Sequence, residues 1–226
     1  MPSKRSSAIS SLVVILSLAA GCASGPPPSA LELGDAALEH GDWRAAGTHF
    51  AQALREDPGQ PRAWLGQSRA QILGRDPEAA LASLGRLSQL DPAFFRAAAV
   101  VPYAEALEAA TGSRLQRRQA EAALVSARAL VELEPDRRGV DRLLGRALLA
   151  EAERRRLLGE SGAALTLYRE ACTVTPQSLE AWVGAAELLL KAGKGKETVK
   201  LLEAARKLHP TAGSIRSLTL QALKVR

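Results

Sequence analysis

The sequence predicts an all-α fold, a solenoid of about five helical hairpins closed by a C-terminal cap helix. Three observations carry it. Prolines recur with a fixed period, since Pro58 and Pro92 stand 34 residues apart, as do Pro176 and Pro210. Small, large and small-to-medium residues recur in register before the prolines: Ala46, Phe50 and Ala53; Ala80, Leu84 and Leu87; Ala123, Ala127 and Leu130; Ala164, Tyr168 and Ala171; Thr198, Leu202 and Ala205. The composition is rich in Ala, Leu and Arg, lacks Asn altogether and shows no strand-like alternation, all of which favour helix.

Each period holds two helices. Trp64 and Trp182 follow Pro58 and Pro176 by six residues, and Leu144 and Gly145 follow Pro135 by nine and ten, which marks a first helix ahead of the one that ends at the next proline. Small residues let the two helices approach, the large residue fills the space between them, and the proline ends the second helix because it cannot continue it. On these residues the chain resembles the tetratricopeptide repeat (TPR) family, which implies a right-handed superhelical solenoid. Residues 27–60 match its pattern closely with Leu33, Gly34, Gly41, Ala46, Phe50, Ala53 and Pro58, and residues 61–94 and 179–212 match at Trp and Pro. The remaining units are longer, 95–137 and 138–178. In the latter both ends keep register, so its extra residues lie near AEAERRRLLGE, 150–160, where seven residues make two helical turns and lengthen the first helix without rotating its buried face. In the former, Pro102 stands in mid-helix and predicts a kink or a restart after AAAVV. The tail 213–226, with Ile215, Leu218, Leu220 and Leu223, predicts the cap helix. The Trp residues and Phe50 are expected as core plugs.

The N-terminus predicts a different function for its own residues. Lys4 and Arg5 precede a mostly apolar run, Ala8 to Ala20, too short for a spanning helix of about 20 residues. Leu18, Ala19, Ala20, Gly21 and Cys22 resemble the lipobox of bacterial lipoproteins, with the leucine one position early. The resemblance implies residues 1–21 as a cleaved signal peptide, Cys22 as the lipidated N-terminal residue (diacylglycerol plus a fatty acyl chain such as palmitate), 22–29 as a Pro-rich linker and 30–226 as the solenoid. It also implies a periplasm-facing anchor in the cell envelope, at the outer membrane. Two or three acyl chains hold a protein stably where one holds marginally. Loss of Lys4 and Arg5 lowers the formal charge of +6 to +4. A basic balance can point to nucleic acid, but outside the cytoplasm an acidic peptide, glycan or headgroup replaces it.

Catalytic chemistry leaves no pattern. His40, His49 and His209 have no metal-ligand spacing with one another, no Gly-rich phosphate loop follows a strand, and Cys172, one residue after a packed alanine, fits a small hydrophobe better than a reactive thiol. No enzyme, metal or cofactor is expected.

Binding remains. The TPR resemblance implies a concave surface built from first-helix positions 2, 5, 9, 12 and 13. Transferred here, these give Arg62, Leu65, Arg69, Ile72 and Leu73; Tyr103, if the register survives Pro102; Arg142, Arg146 and Leu149; and Val183, Glu187 and Leu190. Arg142 and Arg146 lie one turn apart and repel, which an acidic ligand would relieve. The TPR clamps that grip terminal carboxylates need Asn, which this chain lacks. The expected partner is a protein with an acidic or apolar segment, and the layout resembles pilotin-like lipoproteins that help secretin rings assemble for type IV pili. The alternative is a recognition subunit in cell-wall or polysaccharide metabolism or export.

Overall fold

The computed structural model describes residues 26–225. Cys22 and the expected signal peptide therefore lie outside the described residues. The chain forms five antiparallel hairpins: α1 (Ala30–Glu39) with α2 (Trp43–Glu56), α3 (Pro61–Leu73) with α4 (Pro77–Leu90), α5 (Pro92–Phe94) running through a π-helical turn, Phe95–Ala99, into α6 (Val100–Gln116) with α7 (Ala120–Leu133), α8 (Val140–Leu157) with α9 (Ser161–Val174), and α10 (Leu179–Lys191) with α11 (Gly195–Leu208). α12 (Gly213–Ala222) follows. No strand occurs among the described residues.

Local chemistry sets the helix starts. Ser29 caps α1 in a reciprocal pair with Glu32, and Asp42 and Asp76 accept from the backbone N–H of Ala45 and Ala79. Pro61, Pro77 and Pro92 sit in first turns, where no backbone N–H is needed. The fold answers the question of Pro102 in the same way. The helix is interrupted by the π-helical turn and restarts at Val100, so Pro102 falls in the first turn of α6 and is buried there.

Packing follows the repeated small-large-small pattern. Ala46, Phe50, Ala80, Leu84, Leu87, Ala123, Leu130, Ala164, Ala171, Leu202 and Ala205 are buried. The Phe50 ring fills the space that a Cβ on Gly34 or Gly66 would enter, at 2.7 and 2.3 Å, and Tyr168 stands the same way against Gly184 at 2.5 Å. The tryptophans depart from expectation. Trp64 and Trp182 are only partly buried, because each indole lies over the preceding turn with its Nε1 donating to a proline carbonyl, Pro58 or Pro176, at 2.9 Å. Trp43 is likewise half-buried, with the Arg44 guanidinium 4.3 Å from its ring centroid.

The first helices form one layer, with α1 on α3, α3 on α6 and α6 on α8, and each second helix packs between its own first helix and the next. Turns within hairpins thus line one edge of the solenoid and turns between hairpins the opposite edge. The lengthened fourth unit shows as an 18-residue α8 against a 13-residue α3. α12 packs on α10 and α11, burying Ile215 and Leu218 and leaving Leu220 and Leu223 exposed.

Candidate partner-binding groove

An open groove of about 640 Å³ runs across the first-helix layer between α1, α3 and α6, lined by Leu38, Glu39, Arg69, Ile72, Leu73, Ala98, Val101, Pro102 and Glu105. Its floor and walls are apolar, with Leu73 55 % and Val101 58 % exposed, and its rim carries one cation and two carboxylates. Leu73 and Val101, with Leu38, Ile72 and Ala98 beside them, form a contiguous apolar patch rather than single exposed side chains.

Three of the residues expected at the concave face, Arg69, Ile72 and Leu73, meet in this groove. Others stand elsewhere. Leu65 is a correction: it is 6 % exposed and packs with Leu84, Leu87 and Ala106, because its turn of α3 points between the two layers. Tyr103 is a second correction. Its ring packs edge-on against Phe95 at 5.5 Å, half-buried between two core clusters, since the π-helical turn shifts the register of α6 and presents Val101 and Glu105 instead. Arg62 pairs with Asp35 at 3.3 Å on the exposed surface. Leu149, Val183 and Leu190 are half-buried against core clusters, while Arg142, Arg146 and Glu187 are exposed on α8 and α10, away from the groove. Leu38 and Glu39 had a signal, because they occupy in the first unit the positions that Ile72 and Leu73 occupy in the second. Val101 and Glu105 had none, because the π-helical turn hides their register.

The arginines of the α8 tip are not free cations. Arg154 reaches Glu151 at 2.7 Å and Glu121 at 2.9 Å, Arg155 reaches Glu151 at 2.6 Å and Glu160 at 2.7 Å, and Arg156 reaches Glu153 at 2.6 Å. Hydrogen bonding from Arg154, with Arg155 alongside, holds the Glu151 carboxyl below the usual glutamate range, although its side chain is almost wholly buried. Glu78 is held low in the same way by a two-pronged bond from Arg114 at 2.7 and 2.8 Å.

Cys172 is buried among Ala123, Leu144 and Ala181, and burial pushes its thiol up to about 12, which leaves it a packing residue at neutral pH. His40 holds the Ala36 carbonyl at 2.7 Å at the end of α1. No group of three potential metal ligands converges among the described residues.

Residues 31–93, which build two walls of the groove, match the tetratricopeptide repeat family model. The same hairpin architecture continues to the end of α11, and the fold is that of solved TPR proteins. A TPR repeats protein from Bacteroides fragilis superposes with a TM-score of 0.58 at 13 % identity, covering 86 % of this chain and 96 % of that one. A TPR protein from Thermus thermophilus (23 % identity, 86 % and 97 % covered) and MamA from Desulfovibrio magneticus (15 %, 81 % and 95 %) align at TM-scores of 0.35 and 0.41. No curated protein matches the sequence. The groove is an open, mostly apolar surface on the first-helix layer of this fold.

Proposed function

We propose that the chain is a non-catalytic scaffold of the bacterial cell envelope, held to the membrane by a lipid on Cys22, that binds or chaperones a protein partner in the groove between α1, α3 and α6. The single observation that carries the binding site is the pair of open aliphatic side chains, Leu73 and Val101, facing one another's helices across about 640 Å³. The mixed rim of Arg69, Glu39 and Glu105 favours a segment with an apolar stripe and both signs of charge, a broader match than a purely acidic ligand. The lipobox resemblance of Leu18 to Cys22 supports the anchor, and its layout supports a role in assembling an outer-membrane complex such as a secretin ring. Replacing both Leu73 and Val101 by Ser removes apolar contact at about 25 cal/mol per Å² while sparing the core. Detergent extraction and affinity capture of the double variant should lose a partner that the parent retains, with helicity unchanged. Equal recovery would displace the site from this groove.

A further inference from the structure

The edge formed by the turns within hairpins carries a second surface, independent of the groove. In five such turns one residue has positive φ. It is glycine in three, Gly41 (75°), Gly159 (79°) and Gly193 (72°), and arginine in two, Arg75 (60°) and Arg118 (59°). A side chain at positive φ strains the backbone, and glycine is the residue that avoids this strain. Two neighbouring tips thus hold a strained, exposed arginine where the sister turns hold glycine. Arg117 adds a third exposed cation, and none of the three makes an ion pair among the described residues.

These tips adjoin one another. Arg114 at the end of α6 grips Glu78 at the start of α4, and Arg154 near the end of α8 reaches Glu121 at the start of α7. The carboxylates along the edge are largely committed: Asp42 and Asp76 cap helices, and Glu78, Glu121, Glu151, Glu153 and Glu160 take arginines. One turn beyond Arg154, the lengthened α8 ends in Leu157 and Leu158, 73 % and 60 % exposed. The two are adjacent and protrude from the hairpin tip. The turns of the opposite edge carry both signs, with Asp57, Asp91 and Asp136 alongside Arg137 and Arg138.

We propose that this edge docks on an anionic lipid bilayer, with Leu157 and Leu158 entering the interface and Arg75, Arg117 and Arg118 lying against phosphate headgroups. A protruding apolar pair needs a yielding apolar medium, and unpaired cations beside it need a negatively charged surface. A bilayer with anionic lipid supplies both at one level. Docking by this edge would leave the groove on the first-helix layer accessible from the side.

The test uses the full chain with Cys22→Ser in every arm, so that residues 8–20 contribute equally and differences report the edge. Partition is measured onto phosphatidylcholine vesicles with and without about 30 % phosphatidylglycerol, at low and high salt. R75G/R117Q/R118G should lose roughly 100-fold in partition onto the anionic vesicles, about fivefold for each arginine, and little on the neutral ones. Its fold is secured by the sister turns that already hold glycine. L157S/L158S should lose partition on both. A fluorophore on Leu158→Cys should shift to the blue when anionic vesicles are added, and buried Cys172 does not compete for the label. Parent-like partition of both variants, or no shift at position 158, would overturn the proposal, as would a parent that binds neutral and anionic vesicles equally.

Discussion

Trp182 Nε1 donates to the carbonyl oxygen of Pro176 at 2.9 Å, and Trp64 makes the same bond to Pro58 at the same distance. Each bond ties the first helix of a hairpin to the turn that ends the previous hairpin. It therefore couples neighbouring units, in an architecture whose stability resides in nearest-neighbour interfaces. Trp182→Phe keeps most of the ring and removes the donor. It should cost about 1 kcal/mol, read as a lower urea midpoint, and Trp64→Phe should behave alike.

Phe50 and Gly66 form a lock of the same kind. Phe50→Ala removes a fully buried ring and should cost about 3–5 kcal/mol. Gly66→Ala should cost about 1–3 kcal/mol through overpacking, because its new Cβ would meet the ring at 2.3 Å. In a Phe50→Leu background that second cost should shrink, and a double-mutant cycle on thermal melting measures the difference. Additive costs would mean that the two residues do not touch.

Acid should break the arginine–carboxylate bonds of the α8 tip and of the α4–α6 contact. The carboxyls of Glu151 and Glu153 are lowered, chiefly by hydrogen bonds from Arg154 and Arg156 respectively, and Glu78 by Arg114. A lowered folded value means that the stabilisation is fully present above the unfolded glutamate value, about 4.3, and is lost as pH falls through the lower folded value. Glu151→Gln should be less stable at neutral pH yet lose less on acidification. Melting curves between neutral pH and the acid range give the comparison.

The turns with positive φ predict a gain and a loss. Arg75→Gly relieves strain and should be neutral or stabilising by up to about 1 kcal/mol, whereas Gly159→Ala places a side chain in the left-handed region and should cost about 1 kcal/mol. Thermal melting of the two single variants tests the signs.

Much of this architecture is legible in the sequence because the period is carried by volume. Ala46, Phe50 and Ala53 announce their burial by size and spacing alone, and Pro58 announces the end of its helix. The groove is less legible. Arg69, Ile72 and Leu73 follow from the repeat positions, but Leu65 shares the same rule and turns into the core, since a helix face wide enough to meet two layers cannot be split by periodicity. Tyr103 fails for another reason: the π-helical turn at Phe95–Ala99 adds a local register shift that no residue pattern marks. Arg154, Arg155 and Arg156 are a run of three cations in the sequence, but one of the carboxylates that hold them, Glu121, comes from a different helix, α7. Long-range ion pairing is a property of the stack, which a linear reading does not contain.

The central claim is that a partner occupies the groove between α1, α3 and α6. A photoactivatable side chain placed at Leu73 or at Val101 in cells, with Val125 on α7 as an equally open position outside the groove, tests it most directly. One discrete protein adduct of the same mass is expected at Leu73 and Val101 and none at Val125. An adduct at Val125 with none at the two groove positions would contradict it.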